Sequence, residues 1–213
     1  ARVRAACSAA GVLMLADEVQ TGIGRTGAWL ASCGACTCTA ACERQSNYVR
    51  PDVLILGKAL SGGVYPVSAV LADDEVMLTI HPGQHGSTFG GNPLASRVAQ
   101  AALDVVLDEG LLANARERGM QFRAGVERLM EQFPILNLVR GKGLLNAVQL
   151  NDAETGTAAW DLCILMAEQG LLAKPTHGNI IRFAPPLIIT EAQMEESLNR
   201  IERALVLFAK ARA

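Results

Sequence analysis

Three short stretches carry residue types that can do chemistry, each where a strand ends or a helix begins. The first is Asp17-Glu18-Val19-Gln20, which follows the apolar run Val12 to Ala16. A carboxylate there can balance a buried cation, since an unpaired charge in such a place is costly. The second is Lys58, directly after Val-Leu-Ile-Leu-Gly and before Ala59-Leu60-Ser61-Gly62-Gly63. A lysine closing a buried strand is expected in a partly desolvated place, which favours the neutral amine that a Schiff-base lysine requires. The third is Gly86-Ser87-Thr88-Phe89-Gly90-Gly91-Asn92, which combines hydroxyls, free backbone N–H groups and a helix start. That combination suits an anion such as phosphate. Each stretch also has an ordinary structural reading: a helix cap or surface ion pair, a solvent-exposed lysine, a glycine-rich turn. Their order and joint presence favour chemistry.

The elements that must position these residues alternate in type. Val12 to Ala16 and Val53 to Leu56 are short continuous apolar runs, as expected of strands buried on both faces of a parallel sheet. Val64 to Leu71 is a third run, broken by Pro66, which belongs beside a turn or an edge. Residues 92–109 have a helical period, with Asn92 as N-cap and Pro93 at the first helical position. Leu111 to Phe133 continues helically with one charged and one apolar face. After Pro134 short strands are expected at Leu144–Leu150, Leu171–Lys174 and Ile180–Phe183, with helices at about 157–169 and 190–209. The fold class is therefore α/β, with residues 1–111 as part of a mostly parallel, larger domain and residues 112–213 as a small α+β domain. Ala1 to Cys7 reads as the tail of a helix already under way, so the chain is expected to begin in mid-domain.

Composition removes several function classes. The 213 residues are 50% hydrophobic and 19% charged, with a formal net charge of -2. That balance gives no electrostatic footprint for nucleic acid or a membrane surface, and no apolar run approaches the length of a membrane span. Four of the six cysteines, Cys33, Cys36, Cys38 and Cys42, fall in one short segment. Paired thiolates are the usual zinc signature, but a structural zinc site normally takes two knuckles separated by a loop. The segment 32–48 has neither strand nor helix period, so it reads as a loop insertion of small residues with reduced thiols and no metal. His81, His85 and His177 show no metal spacing, Arg25 and Thr26 are expected to shape the loop after the acidic motif, and Trp29 and Trp160 read as packing residues.

The stretches LADEVQTGIGRTG (Leu15–Gly27), PDVLILGKALSGGVYPVSAVL (Pro51–Leu71) and HGSTFGGNPL (His85–Leu94) together resemble one family. It is the pyridoxal-phosphate-dependent aminotransferase subgroup, class III, that includes the ornithine, acetylornithine and 4-aminobutyrate enzymes, on the fold of aspartate aminotransferase. The resemblance spans nearly the whole chain outside the cysteine-rich loop. Within the subgroup SGGVYPVSAVL, VRGKGLLNAV (Val139–Val148) and LLAKPTHGNIIRFAPPL (Leu171–Leu187) look most like the ornithine aminotransferases.

What the resemblance implies can be set against physical sense. Lys58 would carry pyridoxal 5'-phosphate as a Schiff base and then move protons as general acid and base. Asp17 would keep the pyridine nitrogen protonated, making the ring an electron sink. Val19 would pack on the ring and Gln20 would hydrogen-bond near its phenolic oxygen. Ser87 and Thr88 would bind the cofactor phosphate of a partner subunit, which implies a homodimer. Arg182, framed by apolar residues and proline in IIRFAPP, would hold a substrate carboxylate through a bidentate fork, against the plainer reading of a strand-end surface arginine.

The implied reaction moves the δ-amino group of L-ornithine to 2-oxoglutarate, giving glutamate 5-semialdehyde and glutamate. An acetylornithine or other ω-amino-acid aminotransferase is the alternative within the class, and a non-catalytic dimerisation fragment the alternative outside it. The N-terminal half of the family pattern, which brings the other phosphate loop, is not in this chain, so the polypeptide alone is expected to be inactive. The implied compartment is intracellular, cytoplasm or mitochondrial matrix, with any targeting region outside the chain.

Overall fold

The computed structural model describes residues 1–33 and 49–212. The chain divides into two compact units, Ala1–Leu112 and the residues from Ala113 onward.

The first unit opens with helix α1 (Arg2–Ala10), which ends at Gly11 in the left-handed conformation (φ 65°), where glycine carries no Cβ penalty. Strand β1 (Leu15–Asp17) pairs in parallel with β2 (Val53–Leu56), placing Asp17 opposite Ile55. Strand β3 (Ala69–Ala72) lies antiparallel on the other side of β2, so the sheet has the order β1-β2-β3 and is mixed. A short helix α2 (Asp74–Met77) follows. Helix α3 (Pro93–Asp108) begins at Asn92, whose side chain accepts a hydrogen bond from the N–H of Ala95 at 2.8 Å. That is the cap expected from Asn-Pro.

Two expectations for this unit change. The run Val12 to Ala16 is not buried on both faces: Val12 and Leu13 are 54% exposed and Leu15 is 59% exposed. The apolar sequence records a face that the described elements of this unit leave open. The run Val64 to Leu71 yields a strand only from Ala69. Before it the backbone turns, with the N–H of Val64 donating to the carbonyl of Ser61, and Pro66 has no N–H for a ladder.

The second unit is an antiparallel sheet of order β4-β5-β7-β6, made of β4 (Leu136–Lys142), β5 (Leu145–Leu150), β6 (Lys174–Thr176) and β7 (Ile180–Phe183). Helices α4 (Leu111–Met130), α5 (Ala158–Glu168) and α6 (Glu191–Ala211) supply the rest. Their buried positions repeat at helical spacing: Ala115, Phe122, Val126 and Leu129 on α4, and Met194, Leu198, Ile201, Leu205 and Phe208 on α6. They meet Val148, Leu150, Ile181 and Phe183 from the sheet, and the rings of Phe122 and Phe183 lie 5.0 Å apart. An interior of this density makes Phe122→Ala a loss of about 3–5 kcal/mol. Cys163 on α5 is buried there, and desolvation pushes its thiol up to about 11. Thr190 and Gln193 form a reciprocal capping box at the start of α6.

Sequence reading misses β4, an edge strand whose Asn137, Arg140, Gly141 and Lys142 read as loop residues. It also starts β6 too early, at Leu171 rather than Lys174. Trp160 is 61% exposed rather than packed. The VRGKGLLN stretch has a structural explanation. A Cβ on Gly119 of α4 would fall 2.0 Å from the carbonyl oxygen of Gly143, and one on Gly141 2.3 Å from the Asn146 side chain. Asn146, 2% exposed, donates to Gly143 O and accepts from Arg123 at 2.8 Å.

Among the described residues no helix is long and apolar enough to cross a membrane, and no group of three or more His, Cys, Asp or Glu is placed to hold a metal ion. Cys36, Cys38 and Cys42 lie outside the described residues.

Candidate functional site

Parallel pairing of β1 with β2 brings their carboxyl ends side by side, which is where an open α/β sheet presents a ligand crevice. Asp17 ends β1 and is exposed. One of its oxygens accepts from the N–H of Val19 at 3.0 Å, and the other has no hydrogen bond among the described residues. That free oxygen can take an N–H donor from outside the protein.

Glu18 behaves differently. It is 3% exposed, and its carboxylate is spent on the chain: Oε1 accepts from Ser32 N at 2.7 Å, while Oε2 accepts from Ala31 N at 3.0 Å and from the Thr21 hydroxyl. The loop it closes buries Gly22, Ile23, Gly24, Thr26, Gly27 and Ala28. Gly22 is needed because a Cβ would sit 2.8 Å from the Glu18 carbonyl oxygen.

Gly57 has an extended backbone, and a Cβ there would meet Val19 Cγ1 at 3.3 Å, so Val19 lies directly against the residue before Lys58. Lys58 then opens a 3-10 turn, Lys58–Ser61, with a positive φ of 43°. Such a conformation costs a non-glycine residue energy and is found where function or surrounding structure demands it. Its Nζ lies 3.5 Å from Gln20 Oε1, at the long limit of a hydrogen bond. Lys58 is exposed on a recess of about 350 Å³ that also includes Ser61, Tyr65 and Pro66. The expected partly desolvated amine is therefore not what this chain presents: β2 ends at Leu56, and Lys58 has left the sheet when its side chain begins.

The structure thus brings Val19, Gln20 and Lys58 together, with Asp17 at the adjoining strand end. Ser87 and Thr88 lie on an exposed loop ahead of α3, and no hydrogen bond among the described residues joins them to that group. The Ser87 hydroxyl accepts from Gly90 N at 2.9 Å, and a Cβ on Gly90 would collide with Ser87, so this turn requires its glycine. Arg182 belongs to the second unit, on β7 opposite Ala147 and Lys174. It is half-buried on the face away from Ile181 and Phe183, and its side chain makes no hydrogen bond or ion pair among the described residues. An unpaired guanidinium held by a sheet keeps its fork available for a carboxylate.

Sequence reasoning missed the clasp made by Glu18. Its strongest partners are backbone N–H groups, which no residue type announces. The one available signal was the density of glycine after it.

The family model for the class-III aminotransferases matches residues 1–205. The mitochondrial ornithine aminotransferase of Oryza sativa subsp. japonica is 54% identical over 197 residues, covering 92% of this chain and 39% of that protein. Among solved structures, the acetylornithine aminotransferase from Elizabethkingia anophelis superposes with a TM-score of 0.85 at 53% identity, covering 97% of this chain and 51% of that one. The ornithine aminotransferase from Toxoplasma gondii, with PLP at partial occupancy in its active site, gives 0.87 at 41% identity, covering 99% and 46%. The chain spans about two fifths of the length of the curated relative and about half of the solved ones.

Proposed function

This chain belongs to the class-III aminotransferase family, and from that premise we propose that it is part of a pyridoxal-phosphate-dependent ornithine aminotransferase. The proposed reaction is transfer of the δ-amino group of L-ornithine to 2-oxoglutarate, giving glutamate 5-semialdehyde and glutamate. The observation that carries the reading is the meeting of Lys58 with Gln20 at the end of β2, beside the strand end that holds Asp17.

The residues present fit the cofactor. Pyridoxal phosphate, when bound, supplies an aldehyde for an amine and a protonated ring that withdraws electrons from the carbon losing a proton. Lys58 Nζ would be the amine for that aldehyde and, as general acid and base, would move the proton at the substrate carbon. Asp17, through its free oxygen, would keep the ring nitrogen protonated. Val19 would pack against the ring, and Gln20 would hydrogen-bond near its phenolic oxygen. Ser87 and Thr88 take phosphate on a partner subunit, so the working form is a homodimer. Residues 1–111 would be part of the cofactor-binding domain and 112–213 the small domain, and Arg182 would hold a substrate carboxylate. The proposed compartment is the mitochondrial matrix or the cytoplasm.

Borohydride reduction of the full-length protein loaded with cofactor, followed by peptide mapping, tests the assignment. The modified peptide should contain Lys58, and Lys58→Ala should abolish both labelling and turnover; a label on any other lysine sinks it. The 53% identity with an acetylornithine aminotransferase keeps a second reading open. Turnover faster with N-acetylornithine than with ornithine would replace the substrate and leave the chemistry in place.

A further inference from the structure

We propose that Glu18 is the positioning residue of this site, the group whose carboxylate fixes Asp17 and Gln20 in the geometry that Lys58 needs. The inference rests on the aminotransferase reading above and adds a residue to it. Glu18 sits between the two residues it would position. Its own N–H donates to Ile55 O at 2.9 Å, extending the β1–β2 pairing by one residue, and its carbonyl accepts from Gly22 N at 2.9 Å. Its carboxylate reaches forward to Thr21, Ala31 and Ser32. One buried side chain therefore ties the start of the loop to its end, and the main chain of the same residue ties the loop to the strand that delivers Lys58.

The choice of carboxylate over amide follows from the partners. Two backbone N–H groups and a hydroxyl converge on it, and only an acceptor-only group satisfies them all. No ion pair involves Glu18 among the described residues, so those hydrogen bonds alone offset its burial.

The loop also needs a clasp. Ile23 is buried with φ of 56°, a left-handed conformation that a β-branched residue adopts only under constraint. Such strain persists where surrounding structure over-determines it. The bonds to Ala31 and Ser32, with that from Ile23 N to Trp29 O at 2.6 Å, provide the constraint. A loop released from Glu18 would relax at Ile23, and Gln20, three residues earlier, would lose its place against Lys58.

The test uses the full-length protein and pyridoxal phosphate, comparing Glu18→Gln, Glu18→Ala and Thr21→Val, the last removing only one of the carboxylate's hydrogen bonds. Three quantities are read: amide exchange at Ala31 and Ser32 without cofactor, cofactor affinity by absorbance titration, and the pH midpoint of the bound cofactor's visible band. Glu18→Gln should speed the exchange, weaken cofactor binding by about tenfold, the factor that loss of an outer-shell partner costs at a metal site, and move the pH midpoint. Thr21→Val should move each in the same direction by less. Faster exchange with unchanged affinity and midpoint in Glu18→Gln would reduce Glu18 to a loop clasp and overturn the proposal. Should Glu18→Ala fail to fold, the other two variants carry the comparison. Wild-type protein that takes up no pyridoxal phosphate would instead overturn the aminotransferase reading, a result told apart because the exchange measurement needs no cofactor.

Discussion

Lys58 and Arg182 are both cations, yet the proposed chemistry asks opposite things of them. Lys58 must give up its proton and react, whereas Arg182 must stay charged and only bind. Replacing the guanidinium with an ammonium keeps the charge and removes the planar fork. We therefore expect Arg182→Lys in the full-length enzyme to cost about 2 kcal/mol, roughly thirtyfold in kcat/KM for 2-oxoglutarate. Steady-state kinetics check this, and an unchanged kcat/KM would return Arg182 to the role of a surface arginine. At this scale the sequence is legible where residue type decides the outcome. Asp17 and Lys58 stand out because a charged residue follows an apolar strand. Glu18 does not, because its partners at Ala31 and Ser32 lie thirteen and fourteen residues away and engage it through their backbones.

Elements were legible in proportion to their regularity. The long helices α3, α4 and α6 announce themselves by period, and α3 also by its cap at Asn92. Strand β4 hides because an edge strand needs only one apolar face, and the open face of β1 hides because sequence records apolar residues but not what covers them. One junction between elements gives a pH prediction. The Asp52 carboxylate accepts from Met14 N at 2.6 Å and from Arg4 Nη1 at 2.5 Å, joining α1 to the residue before β1. The Met14 N–H first, and Arg4 after it, hold the Asp52 carboxyl below the usual carboxylate range. A folded value below the unfolded one stabilises the fold fully above about pH 4 and loses that effect as pH falls through the folded value. In the full-length protein the gap in Tm between wild type and Asp52→Asn should therefore be full at pH 6 and shrink under acid. A gap that stays constant to pH 2.5 would contradict the assignment.

The two units differ as molecules. The second has a continuous interior drawn from three helices and a four-stranded sheet. The first shows Val12, Leu13, Leu15, Val70, Leu71 and Leu94 to solvent, all about half exposed or more. Apolar surface left in water contributes nothing to folding, at about 25 cal/mol per Å² forgone. We expect the 213-residue polypeptide by itself to show one cooperative melt, belonging to the residues from 113 onward, and no turnover of ornithine with 2-oxoglutarate. Calorimetry of the whole stretch beside a 113–212 peptide measures the first point, and a coupled glutamate assay the second. A second transition with measurable turnover would mean that the first unit completes itself.

The sealed thiol at Cys163 gives that experiment its own clock. A sulfhydryl pushed up to about 11 and enclosed by packed side chains stays uncharged and out of reach at neutral pH. An alkylating reagent meets it only when the helices part from the sheet. With reagent in enough excess to outrun reclosing, the rate at which mass is added at position 163 therefore follows the opening of the small unit, without any engineered probe.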